Sequence, residues 1–319
     1  MLKPSVSRRL ILGAASAGII ANATRGWTAQ ATSFFDRNHL PIGIQLYTMG
    51  DLAQKDPQGT LKALSSIGYR SVELAGFLGL SPHALRSALD QAGLICRSAH
   101  ISPQARGAEP SLSGDPGQLA ENAHTLGIEY LIAPSPLLPA HASQQPGESG
   151  GAFFTRAGKS MTADDWRTTA GFLNSVGKRL KADGLKLGYH NHNFELAPLS
   201  GGTGLDILLR ETDPELVCFE LDVGWAAAAG VDPLQLLQAH PGRFRLMHIK
   251  DIKADTRPNT ALEMDPTEVG SGVIPWPRVL PEALKAGVRE FYVEQEPPFA
   301  LPRLDSVRKS FQYLSSLAG

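Results

Sequence analysis

Cysteine is scarce in this chain, with two residues, Cys96 and Cys218, in 319. Both sit inside apolar runs, LICRSAHI and LVCFELDV, where a thiol behaves as a small buried hydrophobe. Those runs fall on well-separated strands of the fold argued below, so no disulfide joins them, and the thiols leave the compartment undecided. Long polar tracts are also missing, which excludes a chain disordered throughout: 42% of the residues are hydrophobic and 19% charged, as in folded soluble domains. Acidic residues are absent before residue 32, where Lys3, Arg8, Arg9 and Arg25 stand. The whole chain carries a formal charge of −1, so removing those four cations leaves a body of about −5. An acidic body repels phosphate backbones, and no nucleic-acid partner is expected.

The basic N-terminus continues into a weakly apolar stretch, Leu10 to Ile20, rich in Ala and Gly and too short to span a bilayer comfortably. Two small-x-small sites follow, Ala21-Asn22-Ala23 and Ala29-Gln30-Ala31. This order of basic, apolar and cleavable regions reads as a secretory signal, and Arg8-Arg9 marks it as the twin-arginine type. Residues 1–31 are therefore set apart as a signal peptide, and 32–319 as one domain. The expectation is export in the folded state by the twin-arginine machinery to the periplasm or beyond, with no stable membrane anchor. A metal would then be loaded before transport.

From residue 60 onward one pattern recurs: an amphipathic helix, a closing glycine, then a short apolar strand. It appears in LKALSSIGYRSVEL, LRSALDQAGLICRSAH, AENAHTLGIEYLIA, GKRLKADGLKLGYH and EALKAGVREFYVEQE. A glycine after the last helical turn permits the left-handed cap that sends the chain back onto a sheet. Strands are expected to begin near Ile42, Ser71, Leu94, Glu129, Leu185, Val217, Phe244 and Glu290. Eight strands separated by helices is the count of a closed (β/α)₈ TIM barrel, an α/β fold. Ser81-Pro82, Asp115-Pro116, Asp232-Pro233 and Pro275-Trp276-Pro277 place proline at first helical turns and support the division. A doubly wound sheet would need a glycine-rich phosphate turn after the first strand, where QLYTMGDL stands instead.

Three loops rich in Gly, Pro and Ser, residues 101–114, 135–161 and 252–274, follow strands. In a barrel such loops gather at the C-terminal face and form the rim of a pocket. Metal-capable side chains close four consecutive strands: His190 and His192 with nearby Glu195 after the fifth, Asp222 at the sixth, His248 at the seventh, Glu294 and Glu296 at the eighth. Histidines and carboxylates rarely end apolar strands unless they face a shared ligand. Mixed nitrogen and oxygen donors suit one divalent metal ion, Mn²⁺, Mg²⁺, Co²⁺ or Zn²⁺.

The segments YHNHNFEL, FELDVGW, LMHIKD and YVEQE, in this order, resemble the sugar phosphate isomerase/epimerase family of xylose isomerase-like barrels. That family includes hydroxypyruvate isomerases, ketose 3-epimerases, inosose dehydratases and endonuclease IV, and the resemblance runs from about Ile42 to Leu317. It implies a metal held by a Glu, an Asp, a His and a Glu from strands five to eight, of which Asp222, His248 and Glu294 match the last three. The first position departs, because His190-Asn191-His192 stands where the epimerases have their glutamate. Glu195 is assigned as the fourth ligand, with His190 or His192 as the competing choice.

Such a site supports proton abstraction beside a carbonyl of a small carbohydrate. His190 and His192 are the candidate bases, with Glu294 as a further acid–base group. His100, Trp225, Lys250 and Glu296 are the candidate substrate contacts, although Trp225 serves equally as a packing aromatic and Lys250 as an exposed partner of Asp251. Isomerisation or epimerisation is the leading expectation, and a lyase or dehydratase acting on an inosose or 3-keto-glycoside is the alternative. A phosphodiesterase of the endonuclease IV kind would want several metals and a basic face, neither of which is visible. A non-catalytic exported sugar-binding barrel is the other rival. The sequence leaves room for a homo-oligomer.

Overall fold

The computed structural model describes Met1 and residues 32–105, 109–139 and 141–318. The signal expectation for residues 1–31 thus falls outside the described residues, Met1 excepted. Eight parallel strands close into a barrel: β1 (Gly43–Gln45), β2 (Ser71–Ala75), β3 (Ile95–His100), β4 (Tyr130–Ala133), β5 (Lys186–His190), β6 (Val217–Asp222), β7 (Phe244–Ile249) and β8 (Glu290–Val293). Each strand pairs with its sequence neighbours, and β8 returns to β1 through Gly43↔Tyr292 and Ile44↔Val293. The barrel expected from the strand count is the fold.

Among the described residues one principal helix follows each strand, besides shorter ones: α1 (Pro57–Ile67), α2 (Pro82–Ala92), α3 (Pro116–Leu126), α4 (Ala163–Ala182), α5 (Gly204–Glu211), α6 (Pro233–Ala239), α7 (Trp276–Ala286) and α8 (Arg303–Ser316). Their apolar residues recur at helical spacing. Leu85, Ala88, Leu89 and Ala92 of α2 are buried, as are Trp276, Val279, Leu280, Ala283 and Ala286 of α7. The proline-marked starts are real N-termini, with Ser81 Oγ, Asp115 Oδ1 and Asp232 Oδ1 each accepting a first-turn backbone N–H. At the other ends, Gly93 and Gly127 adopt the left-handed conformation, φ 66° and 78°.

Inside the barrel, tight packing makes the floor. Tyr130, Ile132, Leu246 and Tyr292 form a buried cluster. Two strands yield space to it: a Cβ on Gly43 would lie 2.5 Å from the Tyr292 ring, and one on Gly188 2.5 Å from Ile132. Because successive side chains on a strand alternate faces, residues two and four positions beyond this floor point into the barrel toward its C-terminal end. Gly188 is followed in that sense by His190 and His192, Leu246 by His248 and Lys250, and Tyr292 by Glu294 and Glu296. The chemistry expected at the strand ends is thereby stacked above a hydrophobic plug.

Some expectations need correction. The first strand is shorter than IGIQLYT, because Leu46–Met49 coil into a 3₁₀ turn in which Gln45 Oε1 accepts the Tyr47 N–H. The segment 135–161 contains a ten-residue helix, Gly150–Lys159, capped by Ser149. The segment 252–274 is tied down by a short antiparallel pair, Asp251–Ile252 with Pro266–Thr267. Among the described residues, no helix is long and apolar enough to cross a membrane.

Cys96 and Cys218 are both free thiols, the first buried and the second half-buried. Burial, reinforced by Glu73 near one and Glu220 near the other, pushes each up to about 12. The nucleophile is the thiolate, of which roughly one part in 10⁴ exists at pH 8 for such a group. In the folded protein neither thiol is expected to react with an aromatic disulfide reagent at pH 8, and both should react after unfolding in guanidinium. Rapid labelling of either in the native state would contradict this packing.

Candidate metal centre

The barrel interior places two sets of donor atoms at the C-terminal ends of its strands. One set is His190, Asp222, His248 and Glu294, and the other is His100, His190, Glu220 and His248; within each, the potential ligand atoms lie within 4.8 Å of one another. The two sets share His190 and His248 but meet opposite ring nitrogens. His190 turns Nδ1 to Glu220 Oε2 at 3.0 Å and Nε2 to Asp222 Oδ2 at 3.9 Å. His248 turns Nε2 to Glu73 Oε2 at 2.7 Å and to Glu220 Oε2 at 3.1 Å, and Nδ1 to Glu294 Oε2 at 2.8 Å and Asp222 Oδ2 at 3.6 Å.

Asp222 is oriented by its neighbours. Oδ1 accepts the Trp225 N–H at 2.8 Å, capping the short helix Val223–Ala228, and the Asp222 N–H donates to Asn191 Oδ1 at 3.0 Å. Its Oδ2 lies 2.8 Å from Lys250 Nζ, an ion-pair distance without hydrogen-bond alignment. Lys250 is fully buried and also meets Glu294 Oε2 at 2.8 Å and Glu296 Oε1 at 2.7 Å. It is therefore no exposed partner of Asp251, whose oxygens are taken elsewhere, and its ammonium has three carboxylate neighbours before any substrate arrives.

The electrostatics follow from burying many ionisable groups together. Burial works against the charged form of His248, but Glu220 and Glu294 outweigh it and hold the ring well above the usual histidine range. His100 is likewise lifted to about 9 against its burial, by Glu73 and a hydrogen bond to Glu220. His190, with the other cations around it, is pushed well below its ordinary value, chiefly by burial. Glu294 overcomes its burial through Lys250 and His248 and titrates well below the carboxylate range. Glu73, Glu220, Asp222 and Glu294 are all buried, so positive charge is needed among them.

These residues suit a divalent cation. The donors are imidazole nitrogen and carboxylate oxygen, and two buried oxygens, Asp222 Oδ2 and Glu220 Oε1, have no hydrogen-bond partner. The structure does not bring Glu195 to either donor set. The 3₁₀ turn Phe194–Leu196 folds Glu195 back under the strand, where Tyr189 Oη donates to Oε1 at 2.8 Å and the His192 N–H to Oε2 at 2.9 Å. His190 is the strand-five residue that joins Asp222, His248 and Glu294.

A cavity of about 460 Å³ opens above these groups. His100, His190, His192, Glu294 and Glu296 line it, with Tyr47 and Phe154 among its aromatic walls. Two of the three long loops reach it, through Ile101, Ser102, Glu109 and Pro110 and through Ser135 and Phe154; residues 252–274 contribute nothing to its lining. His192 is the least committed imidazole there: its Nδ1 has no hydrogen-bond partner and lies 3.8 Å from Glu195 Oε1. Trp225 is buried under this layer, with Lys250 Nζ 5.1 Å from its ring, and packs rather than faces the cavity.

Glu73, Ser98, Gln45 and Glu220 were not singled out by the sequence reading. Glu73 accepts from Gln45 Nε2 at 2.8 Å and from Ser98 Oγ, and Glu220 Oε2 meets His100 Nε2 at 2.8 Å. A signal existed for Glu220, which precedes Asp222 by two in FELD and so shares its face of the strand.

Comparison with known proteins places this geometry in context. The model of the xylose isomerase-like TIM barrel family matches residues 61–317. A curated relative, an inosose dehydratase from Geobacillus kaustophilus, is 26% identical over 219 residues, 65% of this chain and 65% of its own length. The chain thus matches just under two thirds of that relative. A sugar phosphate isomerase/epimerase from Parabacteroides distasonis superposes with a TM-score of 0.66 at 25% identity, covering 93% of this chain and 97% of that one. The IOLI protein, solved with a zinc atom, shares the fold with a TM-score of 0.60 at 15% identity, over 87% of this chain and 98% of its own.

Proposed function

Because the chain belongs to the xylose isomerase-like TIM barrel family, we propose that it is a divalent-metal-dependent enzyme that removes a proton beside a carbonyl of a keto-sugar or inosose and expels a β-hydroxyl as water. The carrying observation is His192, an imidazole on the cavity wall whose Nδ1 is buried 3.8 Å from Glu195 Oε1, which leaves Nε2 for a substrate, and whose ring centre lies 4.9 Å from that of His190. His190, Asp222, His248 and Glu294 would hold the ion, and when bound it supplies the positive charge that stabilises an enediolate. His192 takes the carbon-bound proton, with Glu195 Oε1 3.8 Å from its Nδ1. His100, across the same wall, returns a proton to the departing hydroxyl. Glu296, held by Lys250, accepts hydrogen bonds from substrate hydroxyls.

Among the described residues that line the cavity, His192 is the imidazole least held by other groups, and one such base serves one face of the substrate, which favours elimination over epimerisation; the inosose dehydratase relatives support the same reading. Isomerisation or epimerisation is the second reading, favoured by the likeness to the Parabacteroides protein. An NMR time course in D₂O with keto-sugars, 3-keto-glycosides and inososes separates them. Elimination yields a product lighter by one water from a keto-sugar or inosose, and releases the aglycone alcohol from a 3-keto-glycoside; isomerisation yields a product of unchanged composition with solvent deuterium at the reacting carbon. If the metal-loaded protein neither removes nor exchanges a carbon-bound proton in any of these compounds, the enzymatic reading fails.

Export belongs to the same proposal. Arg8 and Arg9 open the N-terminal basic and apolar sequence, and replacing both with Lys should retain the protein in the cytoplasm of a bacterial host with an active twin-arginine translocase. Fractionation with an antibody reports this, and unchanged appearance of the double variant in the periplasm would argue for another route.

A further inference from the structure

We propose that Glu220 and Glu73 are positioning residues that select which ring nitrogen of His190 and His248 receives the metal ion. This rests on the metal-dependent reading above, and it decides between two donor sets that cannot both be filled. A neutral imidazole has one lone pair and one N–H, so His190 and His248 can each serve only one of the sets as a neutral ligand. Ligating histidines characteristically donate the other N–H to a carboxylate, which sets tautomer and ring orientation.

The distances divide the two sides. Glu220 Oε2 lies 3.0 Å from His190 Nδ1, and Glu73 Oε2 lies 2.7 Å from His248 Nε2. Both are ordinary lengths for a ring N–H donating to a carboxylate. On the opposite edge, His190 Nε2 and His248 Nδ1 stand 3.9 Å and 3.6 Å from Asp222 Oδ2, which has Lys250 Nζ at 2.8 Å and no aligned hydrogen bond. Those separations are long for hydrogen bonds and close to the spacing of neighbouring ligands, about 3 to 3.5 Å, when each bond to a metal is about 2.1 Å. Distance alone separates the two nitrogens of His190; His248 Nδ1 also meets Glu294 Oε2 at 2.8 Å, so its choice rests on which carboxylate borders the cavity.

The placement of the two carboxylates adds a second argument. Neither reaches the cavity: Glu73 and Glu220 are fully buried and absent from its lining, whereas Glu294 and the two histidines of the fifth strand, His190 and His192, border it. A substrate carbonyl can therefore approach the side of the site that Glu294 occupies. Glu73 is itself braced by Gln45 Nε2 and Ser98 Oγ, so two further strands hold the acceptor in place. Glu220 Oε2 also gathers His100 Nε2 at 2.8 Å, which ties the third imidazole to the same acceptor. The ring tautomers assigned are therefore Nδ1–H for His190 and Nε2–H for His248.

Zinc titration and long-range proton–nitrogen NMR of the zinc-loaded full-length protein test this. The expected spectra show zinc on His190 Nε2 and His248 Nδ1, with the other nitrogen of each ring protonated. Glu220→Ala is expected to weaken zinc about 10- to 100-fold. Glu220→Gln, whose amide oxygen still accepts the ring N–H, recovers most of the affinity, and Asp222→Asn removes stoichiometric binding. Zinc on His190 Nδ1 and His248 Nε2, or retention of full occupancy in Asp222→Asn with complete loss in Glu220→Ala, overturns the assignment. If Glu220→Ala does not fold, the wild-type spectrum alone decides. Zinc bound through the assigned nitrogens without any turnover would defeat the proposed reaction and leave the positioning role standing.

Discussion

Asp222→Asn and His248→Ala are each expected to abolish stoichiometric binding of a divalent ion and, for the proposed reaction, to lower kcat/KM by on the order of a thousandfold, about 4 kcal/mol of transition-state stabilisation. The barrel is expected to stay folded in both. Asn at position 222 retains an oxygen for the Trp225 N–H, so the cap on Val223–Ala228 survives while the carboxylate charge is lost. Lys250 keeps Glu294 and Glu296, so no bare ammonium is left in the interior. His248→Ala leaves Glu73 with Gln45 and Ser98, and opens a small polar space beside the cavity. The measurement is metal content by ICP-MS, with circular dichroism for folding and the substrate panel for rate. Full metal occupancy in both variants would remove Asp222 and His248 from the site.

Asp251→Ala is the substitution expected to cost most stability. This buried carboxylate accepts from the backbone N–H groups of Ile252, Gly270, Gly272 and Ile274 at 3.0, 2.9, 3.4 and 3.2 Å, and from Trp276 Nε1 at 2.9 Å. One side chain therefore closes the long connection after β7 and fixes the start of α7. Alanine would leave several buried donors unsatisfied, each costing roughly 1–3 kcal/mol before relaxation and water entry. A net loss of about 4 kcal/mol is expected, which lowers Tm by roughly 10 °C for a domain of this size. Asp251→Asn should be nearly as damaging, since its NH₂ would face donors where an oxygen is needed. A thermal shift below about 2 °C in Asp251→Ala would show that the loop does not depend on this residue. Metal content should change little, because none of the Asp251 oxygens belongs to either donor set.

Lys250 and Asp251 illustrate what local reading could not resolve. In LMHIKD the pair looks like an exposed ion pair after a strand, yet the structure buries both and gives them unrelated tasks. Strand parity separates them: Lys250 continues the face of Leu246 and His248, and Asp251 begins the returning loop. Glu195 is a similar case. It is the carboxylate nearest to the histidines of strand five in sequence, and a 3₁₀ turn three residues later carries it beneath Tyr189 and His192.

By itself the sequence determined the elements, their order and the closed barrel, because each of those depends on local patterns: helical spacing of apolar residues, proline after a capping side chain, glycine at the return to a strand. It also determined that Asp222, His248 and Glu294 stand at strand ends on one face of the barrel. What only the tertiary structure decided is how groups far apart in the chain share atoms. Glu73 reaches His248 across 175 positions and His100 reaches Glu220 across 120. No periodicity within a strand encodes that meeting, which is set when β8 closes on β1 and the interior side chains are forced into one layer. The choice of His190 over Glu195, and the choice of nitrogen within each ring, arise from that closure, because the hydrogen-bond partners that orient an imidazole are supplied by other strands.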